Sequence, residues 1–244
     1  MSRLFAALLI AVIPAAYGPG TGKSRDNVYA MTPQALPQGL IGWWKFDETA
    51  GTTARDSSGN GFDASLDSSV SFQPGKMGNA LYNGDMGAGA SFTYAPGSKM
   101  DFTAASRPSI LFWLKIAVLA HNIRLMGAFA PGGMAVEINA PGNEKINLTT
   151  FSSSPNTSWP ETVSADNAWH HYAITADGAS VHLYRDGALV GTNAFVPNWA
   201  STADRRFFLG GDAAYSLSGY LDDVRIYDRA LSASDIQVVY EATK

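Results

Sequence analysis

Between residues 168 and 192 the chain reads AWHHYAITADGASVHLYRDGALVGT, three strand-length runs separated by two Asp-Gly pairs. Glycine accepts the positive φ that a tight hairpin turn demands. Asp177-Gly178 and Asp186-Gly187 therefore predict a meander of three antiparallel strands at 168–175, 180–185 and 188–192. A chain that commits this much sequence to local antiparallel pairing is built from sheets.

From Leu40 onward the rest of the chain follows the same grammar, with short apolar runs broken by Gly, Pro, Asn, Asp and Ser. Such spacing predicts an antiparallel sandwich. LIGWWKF (40–46) places Gly42, Trp44 and Phe46 on one face and Trp43 and Lys45 on the other. ASFTYA (90–95), SILFWLKIAVL (109–119) and YLDDVRIY (220–227) read as further strands, the second apolar enough to be central. In the last, alternation groups Asp222 with Val224 and Ile226. Arg205-Arg206 reads as a loop-to-strand boundary. One helix closes the chain: Ser232 is its N-cap, Asp235 completes a capping box, and Leu231 and Ile236 form a hydrophobic staple. Ile236, Val239 and Tyr240 make its apolar stripe. The predicted class is all-β, an antiparallel jelly-roll sandwich with a short C-terminal helix.

The first 39 residues have a different composition. Residues 1–18, MSRLFAALLIAVIPAAYG, have the basic start, short apolar centre and small-residue exit of a signal peptide. A retained apolar helix, used as an anchor or assembly segment, is the alternative. Residues 19–39 carry three prolines and read as a linker, so the folded domain is expected over 40–244. The chain has no cysteine, which excludes disulfides and thiolate metal sites. Its net charge of -4 gives no general attraction to nucleic acid or anionic lipid. Nucleic acid is therefore not an expected partner, and membrane contact is expected only through an uncleaved N-terminal segment.

Six segments, in order, resemble the laminin-G-like, concanavalin-A-like jelly-roll domains of bacteria and phages. They are GLIGWWKFDETAGTTARDSSGNGFDASL, PGKMGNALYNGD, SILFWLKI with Trp113, AWHHYAITADGASVHLYRDGALV, FFLGGD, and LSGYLDDVRIYDRALSASDIQVVY. The resemblance spans about 40–241. Ala64 stands where the family usually has Gly, and Met86-Gly87-Ala88-Gly89 departs from its pattern. Residues 140–165 carry no motif of the family.

Asp56, Ser58, Asn60, Gly61 and Asp67 have a spacing close to a calcium loop. An EF-hand is excluded, because a tryptophan-rich strand precedes the loop and Asp67 is too short an acid. The resemblance instead implies a structural Ca2+ site at the sandwich rim, with Asp56 and Asn60 joined by Asp222 and Asp85. The competing expectation is that Asp56 caps its own turn and Asp222 is tied to a Trp or an Arg. His170 and His171 point to opposite faces, His171 as a satisfied structural histidine, and His182 has no acid at metal spacing, so no zinc site is expected. The E-x-D-x-x-E strand of the family's β-glucanases is absent: Glu137 stands alone in MAVEINA.

Trp43, Trp159, Trp199 and Tyr215 fall on predicted outer faces or loops, where a ring can stack on a sugar or anchor a protein. The alternative for Trp43 is cover by the linker or a neighbouring chain. The expected function is non-catalytic recognition of glycans or surface polymers by a secreted, cell-surface or virion protein, with a protein ligand as the other partner class. A second reading is a subunit of a filament, virion or surface layer that polymerises through residues 1–39. A glucanase-like enzyme is the third.

Overall fold

The computed structural model describes residues 36–84, 87–128, 133–139, 144–150, 157–163, 165–194 and 204–244. The apolar N-terminal segment, most of the linker, Asp85 and Trp199 lie outside the described residues. In chain order the strands begin with β1 (Leu40–Trp44), β2 (Thr53–Ala54), β3 (Ala64–Leu66), β4 (Val70–Pro74), β5 (Asn79–Gly84) and β6 (Ala90–Thr93). Next come β7 (Ser109–Ile116), β8 (Ile123–Gly127), β9 (Met134–Asn139), β10 (Lys145–Thr150), β11 (Thr157–Thr162) and β12 (His170–Ala176). The last are β13 (Val181–Arg185), β14 (Ala188–Asn193), β15 (Arg206–Leu209), β16 (Gly211–Asp212), β17 (Tyr215–Ser216) and β18 (Ser218–Tyr227), followed by α1 (Ala233–Thr243).

Sixteen of the strands form two eight-stranded antiparallel sheets packed as a β-sandwich, and β16 and β17 pair as a separate two-stranded ribbon. The first runs β14-β13-β12-β7-β18-β5-β4, with β1 also paired to β18. The second runs β11-β10-β9-β8-β15-β6-β3-β2. The meander formed as its turns dictate: Asp186 and Gly187 both take positive φ, at 50° and 80°, as a two-residue hairpin requires. Within residues 140–165, which carried no motif, β10 and β11 pair antiparallel.

Alternation sorts the side chains as the sequence suggests. Ile110, Phe112, Leu114 and Ile116 of β7 enter the core between the sheets, with Trp44, Phe46, Ile174, Leu183, Val136 and Ile138. Full burial of side chains of this size contributes roughly 1.5–3 kcal/mol each. Gly42 is required by this packing, because a Cβ there would lie 2.6 Å from the Trp44 ring.

A second, smaller apolar layer lies on the outside of the first sheet. Leu111, Ala173, Tyr184 and Tyr227 meet Leu231, Ile236 and Val239 there. The capping box of α1 is formed as predicted: Ser232 accepts from the Asp235 N–H, and Asp235 accepts from the Ser232 N–H. Among the described residues no helix is long and apolar enough to cross a membrane.

One strand departs from simple alternation, with consequences for the candidate residues. The register of β18 against β7 shifts between Asp222 and Arg225, and Asp223 takes φ 47°. This is a bulge, where one extra residue reverses the facing of everything beyond it. Leu221, Val224 and Ile226 face the core, so Asp222 lies on the outer face and not with Val224 and Ile226 as alternation predicted.

Candidate functional site

Two tight loops hold the expected metal-binding residues apart. Asp56 bridges to Trp44 on one edge of β1, while β18 pairs on the other. Asp56 Oδ1 accepts from the Trp43 and Ser58 N–H groups at 3.0 and 2.8 Å. Its Oδ2 accepts from Ser58 Oγ and the Phe62 N–H at 2.8 and 3.0 Å. Asn60 donates its amide to the Ile41 carbonyl and to Ser58 Oγ. Asp56 therefore caps its own turn, and its lone pairs point at protons rather than at a cation.

Asp222 sits beyond β1, against the turn between β4 and β5. Its Oδ2 accepts from the Lys76 and Met77 N–H groups at 2.9 and 3.0 Å, and its Oδ1 has no hydrogen-bond partner. Burial pushes this carboxyl up to about 7, against the two backbone donors and with the help of neighbouring Asp223. The expected set of Asp56, Asn60 and Asp222 does not converge, and these residues do not fit a calcium ion. Among the described residues no three His, Cys, Asp or Glu side chains are grouped to hold a metal.

The histidines are accounted for in similar detail. His170 lies between Asp186 and Asp166, at 2.9 and 3.1 Å. His182 does have an acid neighbour, Asp177 at 3.0 Å, together with the Thr192 hydroxyl. His171 packs between Trp113 and Tyr240, and its Nδ1 is unpartnered, so it is not the satisfied histidine expected. Burial, with the Arg225 charge nearby, lowers it to about 3.

Three of the four candidate aromatic residues can be placed. Trp159 is fully buried, not on an outer face: it closes the core beside Gly191 of β14, where an added Cβ would lie 2.5 Å from its ring. Trp43 is half-buried, with Lys45 Nζ and Arg225 Cζ at 4.3 and 4.6 Å from its ring centroid. Its indole N–H donates to Asp223 at 2.6 Å, and Asp223 also pairs with Arg225. The cover on Trp43 is thus the chain's own pair of cations, which leaves the ring poorly placed to stack on a sugar.

Tyr215 is the candidate that the fold turns into a site. It begins β17, directly after a turn in which Asp212 Oδ1 accepts from the Ala214 and Tyr215 N–H groups, both at 2.9 Å. The other oxygen of Asp212 takes Arg124 Nη1 at 2.7 Å, and Arg124 Nε reaches Glu137 at 3.2 Å. The guanidinium lies 4.3 Å from the centroid of the Tyr215 ring. Burial works against the Arg124 charge, but Asp212 and then Glu137 outweigh it and raise the guanidinium pKa. Register sets Arg124 of β8 opposite Glu137 of β9, so both stand on the outer face of the second sheet. With Asn122, Ile123, Asn139 and Tyr215 they line a cleft of about 230 Å³.

Glu137 is therefore not alone, because Arg124 joins it to Asp212. Sequence reading missed Arg124 and Asp212. The available signal was a single Arg inside the apolar run NIRLMG and an Asp closing FFLGGD three residues before Tyr215.

Residues 87–237 match the family model described as the concanavalin A-like lectin/glucanases superfamily. A search of curated proteins returned no match. Among solved structures, the binding domain of Paraclostridial Mosquitocidal Protein 1 superposes with a TM-score of 0.64 at 14% identity, over 84% of this chain and 52% of that one. The chain thus spans about half the length of that toxin domain. Domain 4 of AbnA, an extracellular arabinanase of Geobacillus stearothermophilus solved with arabinotriose, gives 0.63 at 20% identity, over 84% and 98%. Trypanosoma rangeli sialidase gives 0.62 at 18% identity, over 84% of this chain and 33% of the enzyme.

Proposed function

The chain belongs to the concanavalin A-like lectin/glucanase superfamily, and we propose that it is a non-catalytic module that binds neutral glycans in the Tyr215 cleft. One observation carries this reading. A single guanidinium is stacked on an aromatic ring and tied to two carboxylates from separate elements. Ring and acceptors are held in place before any ligand arrives, which lowers the ordering cost of binding. A sugar presents an apolar C–H face to such a ring and hydroxyls to Glu137 and Asn139, which line the cleft beside it. Two carboxylates against one guanidinium leave the cleft with surplus negative charge, which disfavours uronates and sialates.

The same arrangement supports binding over catalysis. A glycosidase pair needs one carboxyl that can hand over a proton. Here both acids accept from the same guanidinium. The AbnA domain crystallised with arabinotriose lends support from a related fold. An extracellular or surface setting suits a ligand of this kind.

The test is titration of the full chain with neutral oligosaccharides, beginning with arabinotriose and then a neutral glycan array. Tyr215→Ala is expected to weaken binding at least tenfold, about 1.4 kcal/mol, with the fold intact by circular dichroism. No neutral ligand at millimolar concentration, or a variant that binds as well as the parent, would sink the reading. Polysaccharide hydrolysis abolished by Glu137→Gln would replace it with an enzymatic one.

A further inference from the structure

The outer face of the other sheet has the opposite character. Along β18 lie three aromatic groups in succession, each with a lysine beside it; the first and third reach the surface, while Trp113 between them is buried beneath Tyr240 and Thr243 of α1. Tyr220 is flanked by Tyr82 at 4.8 Å and Trp169 at 6.0 Å, and Lys115 Nζ lies 5.2 Å from its centroid. Two residues on, opposite Asp222, Trp113 carries Lys76 Nζ at 4.4 Å. Past the bulge, opposite Arg225, Trp43 carries Lys45 Nζ at 4.3 Å.

None of Lys45, Lys76 and Lys115 forms an ion pair with a carboxylate among the described residues. The acids beneath them are withdrawn from the surface. Asp222 and Asp223 are buried, and Asp223 is committed to Trp43 and Arg225. Asp47, at the Trp43 end, is the exposed acid and accepts from the Asn79 N–H. Cation–π contact holds each ammonium near a ring without neutralising it, and the lysine stem is flexible enough to exchange that contact for an ion pair.

We propose that this face is a second carbohydrate surface, independent of the Tyr215 cleft, that binds an acidic polysaccharide. Tyr82, Trp169 and Tyr220 are half-buried rings on which the apolar faces of sugars stack. Lys115 and Lys76 take the carboxylates of uronate residues, and Lys45 extends the stripe. At roughly 3.3 Å per residue along β18, successive lysine rows stand about 7 to 10 Å apart. Sparse cations separated by rings match a polymer that carries its carboxylates at intervals of one or two sugars. They do not match duplex DNA, which carries a charge every ~1.7 Å and demands a dense basic patch.

The experiment is affinity electrophoresis and calorimetric titration of the full chain with polygalacturonate, alginate and hyaluronate, at low and high salt. Binding to at least one, weakened at least tenfold by high salt, is expected. For polygalacturonate, complete methyl esterification should have the same effect. Lys76→Gln with Lys115→Gln should weaken binding about tenfold, Tyr220→Ala should weaken it comparably, and Tyr215→Ala should leave it unchanged. Circular dichroism establishes that each variant is folded. Absence of binding to all three polymers, or indifference to both the lysine and Tyr220 substitutions, overturns the proposal. Loss on Tyr215→Ala assigns the acidic ligand to the cleft instead. Tighter binding to DNA than to any uronate polymer would mark a general polyanion patch and also overturn it.

Discussion

Asp56 and Asp222 are both held by backbone N–H groups, yet their surroundings give them opposite roles. Asp56 receives four donors on two oxygens and lies at the surface end of its loop. Asp222 receives two donors on one oxygen, in full burial. For Asp56, replacement by Asn turns one acceptor oxygen into an N–H donor that faces two other donors. Asp56→Asn is therefore expected to destabilise the protein by about 2–3 kcal/mol, read from urea unfolding. Because no lone pair of Asp56 is free for a cation, millimolar calcium or chelator should leave the melting temperature within about 1 °C, well under the roughly 2–4 °C per kcal/mol of a domain this size. A calcium-dependent rise of several degrees would show that this loop rearranges around the ion.

The residue scale is also where the sequence spoke least clearly about the site. Tyr215 was recognisable as an aromatic outside the core pattern, but its partners Arg124 and Asp212 lie 91 and 3 positions away. Only the adjacency of β8 to the β16–β17 hairpin brings them together. Trp159 was misplaced for a related reason. The run around it has no clean alternation, and its burial follows from packing against β14, an element distant in sequence.

At the scale of elements, β18 organises the molecule. One edge pairs with β7 throughout, while the other pairs with β5 at residues 218–221 and with β1 at 224–227. The switch of partner occurs across the bulge. The turn joining β4 to β5 fills the gap there by donating two N–H groups to Asp222. That turn tolerates no side chain at Gly75, where a Cβ would lie 2.6 Å from the Asn79 carbonyl carbon and 2.7 Å from Asp222 Oδ2. Gly75→Ala is expected to destabilise by about 2–4 kcal/mol, through the loss of a buried acceptor's donors. Wild-type stability in urea unfolding would refute the cradle. By contrast Gly59→Ala, where the same atom meets nothing within 4 Å but φ is 86°, should cost about 1 kcal/mol from backbone strain alone. Element existence was legible here, since the meander, the long central strand and the capped helix each announce themselves locally. The bulge was not, because an inserted residue leaves hydrophobic periodicity intact on both sides and reverses only the phase between them.

The whole molecule combines these local facts in its dependence on pH. Asp222 keeps its proton in the folded state up to about 7, whereas an ordinary carboxyl loses it near 3.8. Its stabilising contribution is complete below 3.8 and declines as pH rises toward 7. His171 behaves in reverse. An ordinary imidazole is protonated below 6.5, but the buried ring resists protonation down to about 3. Its contribution is complete above 6.5 and declines as pH falls toward 3. Between pH 3.8 and 6.5 the two slopes are opposed, each about 1.4 kcal/mol per pH unit at most. Unfolding stability should therefore be nearly flat across that window, with loss below it as carboxylates such as Asp177, held near 2 by backbone and His182 hydrogen bonds, are titrated. The two contributions separate by substitution. Asp222→Asn leaves His171 unopposed, so stability should rise with pH from 4 to 6.5. His171→Phe leaves Asp222 unopposed, so stability should fall over the same interval, and the double variant should be flat again. Urea midpoints at pH 4, 5, 6 and 7 for the four proteins decide the matter. Parallel profiles for all four would mean that neither buried group titrates as its surroundings require.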